Sequence, residues 1–260
     1  MNFQFLKYDV GDGVATITLN RPDVYNALND GITYELQDAL KAVAKDDQVR
    51  VIVLTGEGKA FCSGQDLKEG SEQENRSFID SLHKRYNPII RAMRNLPKPI
   101  LCKLNGVAAG AGCSLALACD IIVASEDATL IEVFVNIGLV PDSGSSYFLP
   151  RLVGMAKAFE LSSMGTRVKA KDAYDMGLVN KVVPAQQLDL AIKEYTSYFA
   201  QAPTKAIGMI KKMLNKSSTS SLDEMLEYEA YCQEAAGRSY DYKEGVTAFL
   251  EKRKAKFLGR

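Results

Sequence analysis

Tryptophan is absent from the 260 residues, and histidine occurs once, at His83. A single imidazole excludes the His-rich kind of zinc site, and it excludes a Ser-His-Asp triad unless His83 carries it. An excess of charge is missing too: 32 Lys+Arg balance 32 Asp+Glu, for a formal net charge of zero. That balance gives no electrostatic footprint for nucleic acid or for an anionic membrane surface. No apolar run approaches the ~20 residues of a transmembrane helix. The opening residues, MNFQFLKYDVGDG, lack the basic flank and long apolar stretch of a signal peptide. The five cysteines (Cys62, Cys102, Cys113, Cys119 and Cys232) form no CxxC pair, and most sit in apolar runs. They read as reduced, buried thiols of a cytoplasmic protein, with no metal site expected.

What is present is core material. Hydrophobic residues make up 47% and charged residues 25% of the chain, which is the balance of a globular protein. Short β-branched runs alternate with helical patterns over the first two-thirds. Phe5 to Tyr8 and Val14 to Leu19 flank Gly11-Asp12-Gly13 as a hairpin. Asn29 opens a helix to about Asp46, with Leu36, Leu40 and Val43 on one face. Val51 to Thr55, Ile100 to Leu104 and Ile121 to Ala124 read as buried strands. Helices are expected from about Arg76 to Asn95 and from Gly112 to Cys119. Such alternation implies an α/β layer architecture with crossovers. Beyond about Ala185 only helices are expected, near 186–200, 203–215, 220–236 and 241–251. The chain therefore divides into a core, 1–185, and a helical region, 186–260.

Four segments can carry chemistry. Lys59 to Lys68 (KAFCSGQDLK) follows the strand ending at Gly56 and reads as a turn leaving a sheet edge. Asn105 to Leu115 (NGVAAGAGCSL) leads from a strand through small residues into a helix. Its glycines permit either close approach to an oxyanion or phosphate, or tight helix–sheet packing. It lacks the GxGxxG order of a dinucleotide site. Gly138 to Ser146 (GLVPDSGSS) places Asp142 either as the cap of a helix through Val153 or as a carboxylate in apolar surroundings. In the second case burial would raise its pKa toward neutrality. The tail from Tyr240 to Arg253 is an amphipathic helix with a basic end.

Together these segments resemble the enoyl-CoA hydratase/isomerase family, the crotonase superfamily. The likeness runs through LNRPDVYNAL, AFCSGQDL, NGVAAGAGCSLALACD, GLVPDSGSSYFLPRLVG, AYDMGLVNKVV and EGVTAFLEKRKAKF. It implies a crotonase-like spiral of ββα units with a C-terminal helical trimerisation region, and enolate chemistry on an acyl-CoA thioester. The thioester oxygen would rest on the backbone N–H groups of Gln65 and Ala111. Asp23, Val24 and Lys68 would border CoA, while Phe249 and Lys252 would reach the CoA of a neighbouring subunit. The resemblance also implies a homotrimer or dimer of trimers, with Met225, Leu226, Phe249 and Leu250 supplying apolar faces. CoA enters as part of the substrate, and no separate cofactor is expected.

The family's hydratases use two glutamates, whose positions here are Ser114 and Phe134. Glu132 lies two residues off that register and is expected to face elsewhere. Asp142 is the one carboxylate left at a catalytic position of the family. The dienoyl isomerases carry extra acids that this chain lacks, and the aryl dehalogenases rely on a Trp and a His. Trp is absent here, and Arg91 stands where the His would be. The chain most resembles the ring-epoxide isomerases of phenylacetate breakdown, through FCSGQDL, the Tyr-Asn-Pro run at Tyr86, GLVPD and the run from Ala236 to Val246. The implied reaction is isomerisation with Asp142 as proton carrier, on a phenylacetyl ring epoxide or by moving a double bond from the 3- to the 2-position. A hydratase using another acid, or a non-catalytic acyl-CoA-binding member, are the alternatives. Tyr86 and His83 are then the other groups to consider.

Overall fold

In the computed structural model, residues 3–68 and 77–260 are described. Strands β1 (Leu6–Gly11) and β2 (Val14–Leu19) pair antiparallel and close at Gly11 opposite Val14. Asp12 and Gly13 turn the chain with φ of 52° and 79°, the positive angles of a two-residue hairpin. Helix α1 (Asp30–Lys45) begins where the Asn29 side chain accepts the Ile32 N–H at 2.9 Å. Its buried stripe is Ile32, Leu36, Leu40 and Val43, at helical spacing. Beyond its far end, Lys98 Nζ donates to the carbonyls of Val43 and Asp46, each at 2.7 Å.

The next strands are β3 (Val51–Gly56), β4 (Ala60–Cys62), β5 (Ile100–Leu104), β6 (Val107–Ala109), β7 (Ile121–Ser125), β8 (Thr129–Ile131), β9 (Arg167–Lys169) and β10 (Lys181–Val183). They divide between two sheets. One has six strands in the order β1-β2-β3-β5-β7-β10, and the other has four, β4-β6-β8-β9. Of each consecutive pair, β3/β4, β5/β6 and β7/β8, the first strand enters the large sheet and the second the small one. A helical segment then returns the chain, so the fold is a spiral of strand–strand–helix units. The helices of these returns are α2 (Asn87–Asn95), α3 (Ala111–Leu117) and α4 (Ser145–Val153).

Two local expectations change. The stretch read as a turn after Gly56 is in part a strand: Ala60, Phe61 and Cys62 are all buried in β4, paired parallel with β6. The helix expected from Arg76 has its start outside the described residues. From Phe78 it runs as a short α-turn to Ser81, then as a π-turn over Leu82–Tyr86 before α2. Pro88 has no N–H to give the Lys84 carbonyl, which breaks the regular ladder there. Gln37 Nε2 supplies replacement donors to the Lys84 and Arg85 carbonyls at 3.0 and 3.1 Å.

After α5 (Met155–Met164) and α6 (Ala170–Asp175) come α7 (Leu188–Gln201), α8 (Thr204–Ser217), α9 (Leu222–Gly237) and α10 (Tyr240–Leu250). Helix α7 lays Leu188, Ala191 and Ile192 on Val51, Val53, Leu101 and Val123 of the six-stranded sheet. Arg50 joins β3 to the later chain by donating to Thr204 Oγ1 at 2.8 Å and to the Phe257 carbonyl at 3.1 Å. Among the described residues no helix is long and apolar enough to cross a membrane. Met225 is buried within the chain, at 8% exposure, so it offers no free apolar face. Leu226, Phe249 and Leu250 do, at 53%, 83% and 73%.

Candidate active site

One side of the site is made of main chain. After β4 the chain passes through Gly64 to Gln65, beside Leu28. Leu28 N–H donates to the Gly64 carbonyl at 2.8 Å, and Asp66 N–H donates to the Leu28 carbonyl at 3.0 Å. Those bonds occupy the groups on either side of Gln65, so in this extended segment the Gln65 N–H points the other way. Strand β6 meanwhile ends at Ala109, Gly110 follows with φ 51° and ψ −126°, and Ala111 begins α3. The first helical bond is from Ser114 N–H to the Gly110 carbonyl, at 3.0 Å. The Ala111 N–H, one turn earlier, has no acceptor inside its helix.

Gly64, the neighbour of Gln65, lies against the start of α3 because it has no side chain. A Cβ there would sit 2.8 Å from the Ala109 carbonyl oxygen and 3.6 Å from the Ala111 nitrogen. Gly64 also holds φ at 94°, a backbone that side chains disfavour. Gly112, in the first turn of α3, is needed as well: a Cβ there would lie 2.3 Å from the Cys62 carbonyl oxygen at the end of β4.

The other side is made of carboxyls. Asp142 does not cap α4 with its side chain: Gly144 stands at the cap position, without a side-chain bond. It is the Asp142 carbonyl that accepts the Ser145 N–H at 3.0 Å, together with the Ser114 hydroxyl at 3.0 Å. The carboxylate accepts only the Ser143 hydroxyl, at 2.7 Å, among the described bonds. Burial pushes the Asp142 pKa above the usual range, and the Ser143 hydroxyl opposes part of the shift. Phe134 is buried and apolar.

Glu132 departs from expectation. It follows β8, where the strand breaks into a short 3-10 turn over Val133–Ile137, so counting by regular spacing misplaces its side chain. Off the catalytic register, it is nonetheless only 3% exposed. Its Oε1 accepts the Ser145 hydroxyl at 2.8 Å, and Ser145 Oγ lies 2.8 Å from Ser114 Oγ. Burial is the main cause raising its pKa, Asp142 adds to the rise, and Ser145 and the Cys113 thiol oppose it. A signal for this was in the sequence: a lone acid inside the apolar run Leu130-Ile131-Glu132-Val133-Phe134.

The remaining expected residues fall in two groups. Asp23 and Val24 are exposed on a short 3-10 turn, Pro22–Val24, fastened directly to the Gln65 loop. Ser63 N–H donates to the Tyr25 carbonyl at 3.0 Å, and Ser63 Oγ donates to the Val24 carbonyl at 3.2 Å. Arg21 adds an ion pair to Asp66 at 2.9 Å. Lys68, exposed, follows the same loop, its N–H donating to Asp66 Oδ1 at 3.2 Å. Phe249 and Lys252, by contrast, stand exposed at the end of α10, and among the described residues no hydrogen bond or ion pair joins them to Gln65, Ala111 or Asp142. His83 and Arg91 are exposed, while Tyr86 is buried. A cavity of about 530 Å³ lined by Tyr147, Phe148, Lys211 and Leu214 includes none of the Gln65, Ala111 or Asp142 positions.

With this geometry in place, the likeness to known proteins is specific. The family model described as enoyl-CoA hydratase/isomerase matches residues 9–260. The chain is 40% identical over 260 residues to the 1,2-epoxyphenylacetyl-CoA isomerase of Escherichia coli (strain K12), covering 99% of each. It is 37% identical over 259 residues to the mitochondrial enoyl-CoA hydratase of Pongo abelii, covering 98% of this chain and 88% of that one. The solved structure of an enoyl-CoA hydratase from Bacillus anthracis superposes with a TM-score of 0.94 at 32% identity, covering 99% of this chain and 100% of that one.

Proposed function

Because the chain belongs to the enoyl-CoA hydratase/isomerase family, whose members act on acyl-CoA thioesters, we propose that it is an acyl-CoA isomerase in which Asp142 carries the proton. The observation that supports this most is the state of the Asp142 side chain. It is half-buried, its proton is held more tightly than usual, and it is free of any capping duty. A carboxyl so disposed can take and return a proton near neutral pH.

On a linear 3-enoyl-CoA, Asp142 takes a proton from C2. The electron pair moves into the thioester carbonyl, and the N–H groups of Gln65 and Ala111 hold the resulting oxyanion. Asp142 returns the same proton at C4, leaving the double bond between C2 and C3, so nothing is consumed and nothing else is released. Such preorganised donors act on charge that develops during the reaction, each contributing ~3–4 kcal/mol. On the ring epoxide of phenylacetyl-CoA the same parts would serve a ring expansion to a seven-membered oxygen heterocycle. That substrate is favoured by the 40% identity to an isomerase of this name.

CoA arrives with the substrate, along Asp23, Val24 and Lys68 of one chain. Phe249 and Lys252 of a neighbouring copy complete its site in a homotrimer or dimer of trimers.

The hydratase names among the relatives make water addition the rival reading. Ser114 and Phe134 cannot move protons as two carboxylates would, so crotonyl-CoA should gain the mass of water only very slowly. A 3-enoyl-CoA should instead change retention at constant mass. In Asp142→Asn the isomerisation rate should fall by ~10²–10⁴-fold with folding intact. An active Asp142→Asn protein, or rapid hydration of crotonyl-CoA, would overturn this assignment.

A further inference from the structure

Glu132 has no place in the one-carboxyl mechanism, yet it is one of the most enclosed ionisable groups in the chain, at 3% exposure. Its Oε1 is held by Ser145, while its Oε2 is buried without a hydrogen-bond partner. An ionised carboxylate in that state is costly unless a cation faces it. None does. The groups that bear on it are the Ser145 hydroxyl from α4, the Cys113 thiol from α3 and the Asp142 carboxyl from the loop before α4. The contacts also run in series: Glu132 to Ser145, Ser145 to Ser114, and Ser114 to the Asp142 carbonyl at 3.0 Å.

We propose that Glu132 is a positioning residue for Asp142: through the Ser145 and Ser114 hydroxyls it fixes the Asp142 main chain, and its buried carboxyl and the half-buried one of Asp142 bear on each other, so charge on either opposes charge on the other. The site then holds two carboxyls that ionise as a pair. Its effect on rate rests on the reading of Asp142 as proton carrier. The electrostatic pairing does not.

Both carboxyls bind protons more tightly in the folded chain than in the unfolded one. Their contribution to stability is therefore complete below the ordinary carboxylate range and is lost as pH rises through the raised values. Glu132→Gln keeps an oxygen for Ser145 but cannot ionise. Melting temperatures of the full-length wild type, Glu132→Gln, Asp142→Asn and the double variant, measured from about pH 4 to 8, isolate the pairing. The expected result is a non-additive term that is absent at about pH 4 and grows toward pH 8. A term that is zero or constant across that range would overturn the proposal, whatever the enzyme's activity.

With a 3-enoyl-CoA, kcat/KM of the wild type should show a second step above the Asp142 limb, where Glu132 ionises against the charge already on Asp142, and Glu132→Gln should lack that step. The same pH profile in wild type and variant, with only a changed melting temperature, would reduce Glu132 to a structural role. Where Glu132→Gln does not fold, Ser145→Ala serves: without its donor Glu132 stays neutral to higher pH, and the second step should move to higher pH. A wild type inactive on every isomerase substrate would defeat the functional assignment alone, and the melting cycle would still decide the pairing.

Discussion

The two sides of the site are built from opposite materials. At Gln65 and Ala111 the groups proposed to act are backbone N–H donors, for which the side chains at those positions are incidental. What matters there is which residues lack a side chain, above all Gly64 and Gly110. At Asp142 and Glu132 the useful groups are side chains, and what matters is how fully the surroundings exclude water. The first side should therefore be sensitive to shape and indifferent to pH, while the second should be sensitive to charge and tolerant of isosteric change.

Gly64→Ala is the sharpest way to break the first side. The new methyl would meet the Ala109 carbonyl oxygen at 2.8 Å and would have to accept a φ of 94°. Strain of this kind costs ~1–3 kcal/mol, and the loop can relieve it only by drawing the Gln65 N–H away from Ala111. The rate should fall ~10²–10³-fold, the cost of one misplaced oxyanion donor, with a lowered melting temperature and no change in the pH profile. Asp142→Asn should show the converse, a lost rate with the melting temperature kept. Loss of stability without loss of rate in Gly64→Ala would remove the Gln65 N–H from the chemistry.

The same contrast explains what was legible from sequence. The large-sheet strands Val51–Gly56 and Ile100–Leu104 are five or six residues long, buried and bounded by turn residues, and α1 carries its own Asn29 cap. Local pattern suffices for these. The small-sheet strands Ala60–Cys62, Val107–Ala109 and Thr129–Ile131 are three residues each. Too short to display a period, they exist because each pairs with a partner dozens of residues away, so Ala60–Cys62 reads as part of a turn and Val107–Ala109 as small residues between a strand and a helix. Gln65, Ala111 and Asp142 are proposed from motif order. The orientation of Glu132 could not be read that way, because it depends on the backbone break after Ile131 and on hydroxyls contributed by two other helices.

A smaller effect is expected at the joint between the carboxyls. Ser114 is fully buried, and its hydroxyl touches the Asp142 carbonyl at 3.0 Å and Ser145 Oγ at 2.8 Å. In Ser114→Ala neither partner is orphaned, since the Asp142 carbonyl keeps the Ser145 N–H and Ser145 keeps Glu132. The loss should be that of one exchanged hydrogen bond, about 1 kcal/mol by denaturant unfolding. A loss several times larger would mean that the serines hold the loop before α4 more firmly than these bonds account for.

The smallest effect should come from the strap beside the backbone donors. Arg21 donates through one nitrogen to the Ala27 carbonyl at 2.6 Å and through another to Asp66 at 2.9 Å, tying the chain before α1 to the Gln65 loop. Both side chains of the pair are mostly covered, at 18% and 12% exposure, so screening by salt is incomplete. Lysine carries the same charge but is a single point donor, and it cannot span both acceptors at once. Arg21→Lys should therefore cost about 1 kcal/mol or less in unfolding free energy. If the strap also holds the Asp23-Val24 turn against the CoA path, KM should rise while kcat stays near that of the wild type, because the N–H groups at Gln65 and Ala111 are held separately by the Leu28 bridge and by α3. A fall in kcat with KM unchanged would instead make the ion pair part of the oxyanion geometry, and the division between a rigid donor side and an adjustable binding rim would fail.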